Sequence, residues 1–206
     1  MMDFFKKYFE IINLGLVLLA FYLLHIQFPP AQGMVVILCA TLAFFYLGSG
    51  ILVLLDKNNV EKVMRIIWFT GLWAVAIAVM GIMSRLLFWE SNEIFMMVAG
   101  AGCLASFAFI ILNRMGLDDR IKLAYTREMW PLVRRLVPAM AIGLMLYFSS
   151  YPTLYRIFGE YRHDRNYIEL ISEKLTNPSN QNIKKEWLNY HDSLKMERAI
   201  KYEQNQ

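Results

Sequence analysis

Two His-Asp dipeptides, His163-Asp164 and His191-Asp192, carry the densest chemistry in a chain that is otherwise mostly apolar. The first lies in "YRHDRNY", residues 161 to 167, between Arg162 and Arg165. Imidazole beside carboxylate serves general acid-base work and, with further ligands, the binding of a divalent ion. Either use needs the groups to converge on one point, and neighbouring residues on a helix do not face each other.

Both dipeptides belong to a C-terminal tail with helical periodicity over 153–176 and 179–203, interrupted by "NPSNQ". Asn177 and Pro178 stop the first helix, and a residue among 177 to 180 caps the second. Tyr161, Asp164, Ile168, Ile171 and Leu175 make one stripe, and Ile183, Trp187, His191 and Leu194 make the other, which predicts a helical hairpin. Asp164 and His191 each lie about 13 residues from the turn, roughly 20 Å along a helix, so the hairpin brings them level. The expectation is a structural pair, Asp164 favouring protonated His191 and holding best at mildly acidic pH. Arg162, His163 and Arg165 are then left open as contacts for a partner. A metal site from His163, Asp164, His191 and Asp192 is the less economical reading, because adjacent side chains rarely converge on one ion.

The rest of the sequence decides where this tail sits. Of 206 residues 57% are hydrophobic and only 18% charged, with a mean hydropathy of +0.37, too apolar for an ordinary soluble domain. A helix needs about 20 apolar residues to cross the hydrocarbon of a bilayer. Five stretches approach that length: about 8–28, 33–55, 65–88, 94–112 and 133–152. Ile11 to Phe28 is longer than the apolar core of a secretory signal and ends in Pro29-Pro30, so it reads as an uncleaved first span. The fold expected is an all-α integral membrane protein, a five-helix transmembrane bundle over 1–155 followed by an extracytoplasmic hairpin over 156–206.

Basic residues set the orientation. Lys6, Lys7, Lys57, Lys62, Arg65, Arg114, Arg120, Lys122, Arg127, Arg134 and Arg135 fall on one side, against Arg85 alone on the other. The N-terminus is therefore expected in the cytoplasm and the tail outside. Trp68, Trp89, Trp130, Tyr147 and Tyr151 stand near span ends, where amphipathic rings settle at headgroups. The absence of tail cysteines and of any Asn-x-Ser/Thr sequon fits a bacterial inner membrane.

Function classes narrow by elimination. The net charge of +4 is spread over short loops rather than gathered in one patch, which excludes nucleic acid as a natural partner. Cys39 and Cys103 lie in apolar runs without metal-ligand spacing, and no cofactor is expected. No GxSxG, P-loop, HExxH or calcium-loop motif occurs. Asp118 and Asp119 invite comparison with a metal pair. Leu117, Ile121, Tyr125 and Met129 instead recur every fourth residue, predicting an amphipathic inner-face helix over about 116–130 with the two carboxylates in its first turn. The carboxylates nearest the spans, Glu10, Asp56, Glu90 and Glu93, read as span-end groups, which argues against proton coupling. Asn13 reads as an interfacial group that water satisfies, and Arg85 as one that snorkels outward or meets Glu90 or Glu93.

Within the spans, Ala74, Ala78 and Gly81, then Ala99, Cys103 and Ser106, then Ala139 and Gly143 form small-residue stripes on which a helix can approach closely. The chain is thus expected to be a non-enzymatic multi-pass subunit that anchors a larger envelope complex, with the bilayer and other proteins, or further copies of itself, as partners. The alternative is a self-associating channel or transporter without strong ion coupling, whose stripes make the oligomer contacts.

Overall fold

The computed structural model describes residues 2–56, 61–90, 92–117 and 119–204, with backbone alone for 2–7, 119–120, 198 and 201–204. Among them are eight helices and no strand: α1 (Met2–His25), α2 (Ala31–Leu55), α3 (Lys62–Leu86), α4 (Asn92–Met115), α5 (Asp119–Phe148), α6 (Tyr151–Phe158), α7 (Arg165–Thr176) and α8 (Gln181–Gln204). The chain divides into two compact units, Met1–Phe148 and Ser149–Gln206. Five helices of the first are long and apolar enough to cross a membrane, over Tyr8–His25, Ala31–Leu55, Lys62–Leu86, Asn92–Met115 and Ile121–Phe148. Asp118 and the side chain of Asp119 lie outside the described residues.

In the first unit α3 packs against α2, α4 and α5, and α1 packs on α2. More than half of the most apolar stretch of α3 is buried inside the unit, against a third or less for the other four. Its small residues explain why. A Cβ added at Gly71 would come within 2.8 Å of Leu132 on α5, and one at Gly102 of α4 would stand 3.3 Å from Ala74. Ala74, Ala78, Gly81, Ala99, Cys103, Ser106 and Ala139 are all buried within this single chain, and Gly143 is half-buried beside Met96. Apolar burial adds little between helices already in lipid, so close dispersion contact of this kind carries their association.

Two turns join α1 to α2 and α3 to α4 at one end of this unit, and they share one hydrogen-bonding plan. Gln27 and Phe88 adopt positive φ, 62° and 58°. Phe28 N–H donates to Leu23 and Gln27 N–H to Leu24; Trp89 N–H donates to Ser84 and Phe88 N–H to Arg85. Each is a Schellman ending built without glycine. The first residue of the next helix, Ala31 or Asn92, then donates to the carbonyl of Phe28 or Trp89.

The segment expected as a separate inner-face helix is instead continuous with the fifth span in α5, despite Pro131 and Pro138 inside it. Its buried residues, Tyr125, Met129, Leu132, Leu136 and Ala139, follow one stripe straight through Pro131, and Tyr125 Oη donates to the Ile110 carbonyl at 3.2 Å. Packing along that face offsets the missing proline N–H.

The second unit departs from a plain two-helix hairpin. The stretch expected as one helix over 153–176 is broken into α6 and α7. At Gly159 the backbone is extended, and a Cβ there would overlap the Tyr155 ring at 2.3 Å. Ser150 caps α6 by accepting from Thr153 N–H, Asp164 caps α7, and Asn180 caps α8 by accepting from the N–H groups of Asn182 and Ile183. The two facing stripes are as expected: Ile168, Ile171 and Leu175 are buried, and Ile183, Trp187, His191 and Leu194 are the more covered residues of α8.

Close approach at Gly71 gives a direct test. Gly71→Val should lower the stability of the solubilised protein by about 1–3 kcal/mol, because Leu132 is fully enclosed and has nowhere to move. Gly100→Ala, where nothing stands within 4 Å, should be neutral. Thermal unfolding in detergent measures both; equal effects from the two would show that the contact at Gly71 is not tight.

Candidate functional site

Asp164 and His191 come to the same end of the α7–α8 hairpin, yet they do not bond to each other. Asp164 Oδ1 accepts from Tyr167 N–H at 3.0 Å as the helix cap, and its Oδ2 accepts from Tyr190 Oη at 3.0 Å. His191 Nδ1 meets Tyr167 Oη at 2.9 Å. The expected pair is therefore replaced by two tyrosine contacts. Capping turns the carboxylate toward its own helix, and the α8 residue that reaches it is the neighbour of His191, about 100° round the helix.

An aromatic cluster surrounds these bonds. The His191 ring stacks on Trp187 at 5.1 Å and 14° and meets the Tyr161 ring edge-on at 5.7 Å, while Tyr161 and Tyr155 both pack on Tyr167. Lys174 Nζ lies 3.5 Å from the centre of the Trp187 ring, a cation-π contact that closes the cluster from α7. Burial pushes the Tyr167 hydroxyl up to about 12 and raises that of Tyr155 as well. The Tyr190 hydroxyl is raised because it donates to Asp164. Burial, with Lys195 and Lys174, pushes His191 below its ordinary 6.5, against the pull of Glu160 and Asp192. The direction is opposite to that expected of an Asp-His pair.

His163 and Arg165 are exposed and Arg162 half-exposed; Arg162 Nε donates to His163 Nε2 at 3.3 Å, and Arg165 bonds Glu169 at 3.0 Å. With Glu160, Tyr161, Asp164, Leu194 and Glu197, Arg162 and His163 rim an open hollow of about 240 Å³. Among the described residues no three His, Cys, Asp or Glu side chains lie together as a metal would require.

A second polar cluster lies inside the first unit. Glu10 of α1 accepts from Arg135 Nε at 2.6 Å and from Arg135 Nη2, and Tyr46 Oη of α2 donates to the same carboxylate at 2.9 Å. The bidentate fork ties α5 to α1 across 125 residues of chain. Glu10 is thus no free span-end group. Asn13, one turn along, is also buried, and its carbonyl oxygen meets no donor among the described residues. Arg85 does not snorkel outward: it is 5% exposed, with Nη1 3.0 Å from Asn92 Oδ1 and Nε 3.4 Å from the Leu146 carbonyl. The sequence held a signal for the Glu10 cluster. Asn13, Val17, Ala20 and Leu24 are the buried stripe of α1, and Glu10 is its next position, while Arg135 abuts the enclosed Leu136.

Comparison with protein families, curated proteins and solved structures finds no match. Neither cluster places a nucleophile beside a base over an enclosed pocket; both join helices, one within each unit.

Two measurements follow. Glu10→Gln and Arg135→Gln should each destabilise the protein, and the double substitution should cost less than their sum, with a coupling of about 1–3 kcal/mol. Strict additivity would show that the fork contributes nothing. In the second unit, a folded-state His191 pKa below the unfolded value means that the unfolded chain takes up the proton first. Stability is then full above about pH 6.5 and is lost as pH falls toward the lowered value. Amide exchange of α7 and α8, corrected for intrinsic rates, should quicken from about pH 8 to about pH 5, and His191→Gln should flatten the change. Slower exchange at the acid end would restore the paired reading.

Proposed function

We propose that the chain is a non-enzymatic multi-pass subunit of a bacterial inner membrane, anchoring a larger envelope complex, with the C-terminal unit as an extracytoplasmic docking element. The observation that carries this is the form of α8. It has 24 residues against 12 in α7. One face, with Ile183, Trp187, Tyr190, His191 and Leu194, is partly covered, while Leu188, Met196 and Ile200 stand 50%, 67% and 53% exposed around the far side. A helix that completes a small hairpin with one face and presents apolar residues on the other suits a partner's groove or helix. The distribution of Lys and Arg supports a cytoplasmic N-terminus and an outer tail.

The channel alternative draws less support. Its oligomer contacts were to be the small-residue stripes, and those stripes are occupied by intrachain packing. Native mass spectrometry of the gently extracted full chain separates the two. The proposal expects a different chain at fixed stoichiometry, lost on Leu188→Asp with Met196→Asp while helicity is unchanged. A homo-oligomer insensitive to those substitutions would overturn it.

A further inference from the structure

One face of α5 combines charge and exposure in a way that neither unit's own packing uses. Leu123, Arg127, Trp130 and Arg134 follow one another at intervals of four, three and four residues, which keeps them on a single line within about 60° of one another. All four are exposed, Leu123 at 79% and Trp130 at 55%. The opposite face carries the buried Tyr125, Met129, Leu132 and Leu136. Arg135 points inward to Glu10, and its neighbour Arg134 is turned from that pair by about 100°, though its charge still acts on Glu10. Glu128 lies well off the line, so from Leu123 to Arg134, among the described side chains, the face carries two positive groups and no negative one.

The position along the helix says what such a face meets. From Phe148 at the far end of α5 back to Trp130 is about 18 residues, or roughly 27 Å, close to the 30 Å or so of a bilayer's hydrocarbon. Trp130 therefore sits where the hydrocarbon gives way to headgroups. Arg127 stands one turn into the headgroup layer, and Arg134, one turn inside the hydrocarbon, reaches back along the helix with its long stem. The two arginines leave the helix about 10 Å apart along its axis, and with Arg134 reaching back their guanidiniums bracket an indole N–H at phosphate height. Guanidinium presents a planar fork matched to phosphate oxygens, and indole supplies a further donor.

We infer that this face of α5 is a binding site for the headgroup of an anionic phospholipid, with Arg127 and Arg134 on its phosphate and Trp130 beside it. A zwitterionic lipid satisfies one guanidinium at the cost of bringing its own cation between them; an anionic one does not. Each arginine near an anionic headgroup favours it about fivefold.

The test uses the full chain in nanodiscs of phosphatidylcholine with a minority of phosphatidylglycerol. Bromines are placed near the headgroup end of the acyl chains of either lipid, at equal mole fraction. The signal is the fluorescence quenching that disappears in Trp130→Phe. Brominated phosphatidylglycerol should quench several-fold more than brominated phosphatidylcholine. Arg127→Gln with Arg134→Gln should make the two lipids equal, and Arg127→Lys with Arg134→Lys should keep most of the preference. Equal quenching by both lipids in the unaltered chain would mean that α5 meets only bulk lipid, and protection of Trp130 from both would mean that protein covers it. Either result overturns the assignment.

Discussion

Close contact between helices is the constraint on which the unit that carries the five candidate spans depends. Lipid tails are as apolar as leucine, so a transmembrane helix gains by packing only when its partner can come nearer than lipid does. The glycines and alanines of α3 permit that approach, and α2, α4 and α5 all gather on this one helix. Leu132 against Gly71 and Gly102 against Ala74 are the tightest expressions of it. Remove the small residues and the helices would have no reason to prefer one another.

Polar clasps add direction to this otherwise unspecific attraction. Glu10, Tyr46 and Arg135 bind α1, α2 and α5 together near one end, and Arg85 with Asn92 and the Leu146 carbonyl binds α3, α4 and α5 near the other. An ionised or amide group in hydrocarbon is tolerated only where it meets a partner, so each clasp penalises any arrangement that separates its members. The same logic runs on a smaller scale in the C-terminal unit. There Asp164 and His191 each take a tyrosine, fixing α8 against α7 at a defined rotation.

Much of the architecture was legible because its signals are local. Span positions follow from runs of apolar residues, and the α7–α8 stripes follow from spacings of three and four. What escaped prediction depends on groups far apart in the chain or on competition for one side chain. The Glu10 to Arg135 fork joins the ends of the first unit, and nothing near either residue names the other. Asp164 was placed at the right height but assigned the wrong partner, because a capping carboxylate serves its own helix first and Tyr190 has the reach to take what is left. The break at Gly159 could have been read from that glycine and the Asp164 cap; the continuity of α5 through Pro131 could not, since it rests on the buried stripe beneath it. The turns at Gln27 and Phe88 lacked the glycine that normally marks such an ending.

The fork between Glu10 and Arg135 also orders events in time. A ribosome adding about 5–20 residues each second takes on the order of 6 to 25 seconds to travel from one residue to the other, given the 125 positions between them. Throughout that interval α1 carries a carboxylate whose cation has not yet been made. The earlier-made helix of the pair thus waits for the later one, and whatever satisfies Glu10 meanwhile gives it up only when α5 arrives.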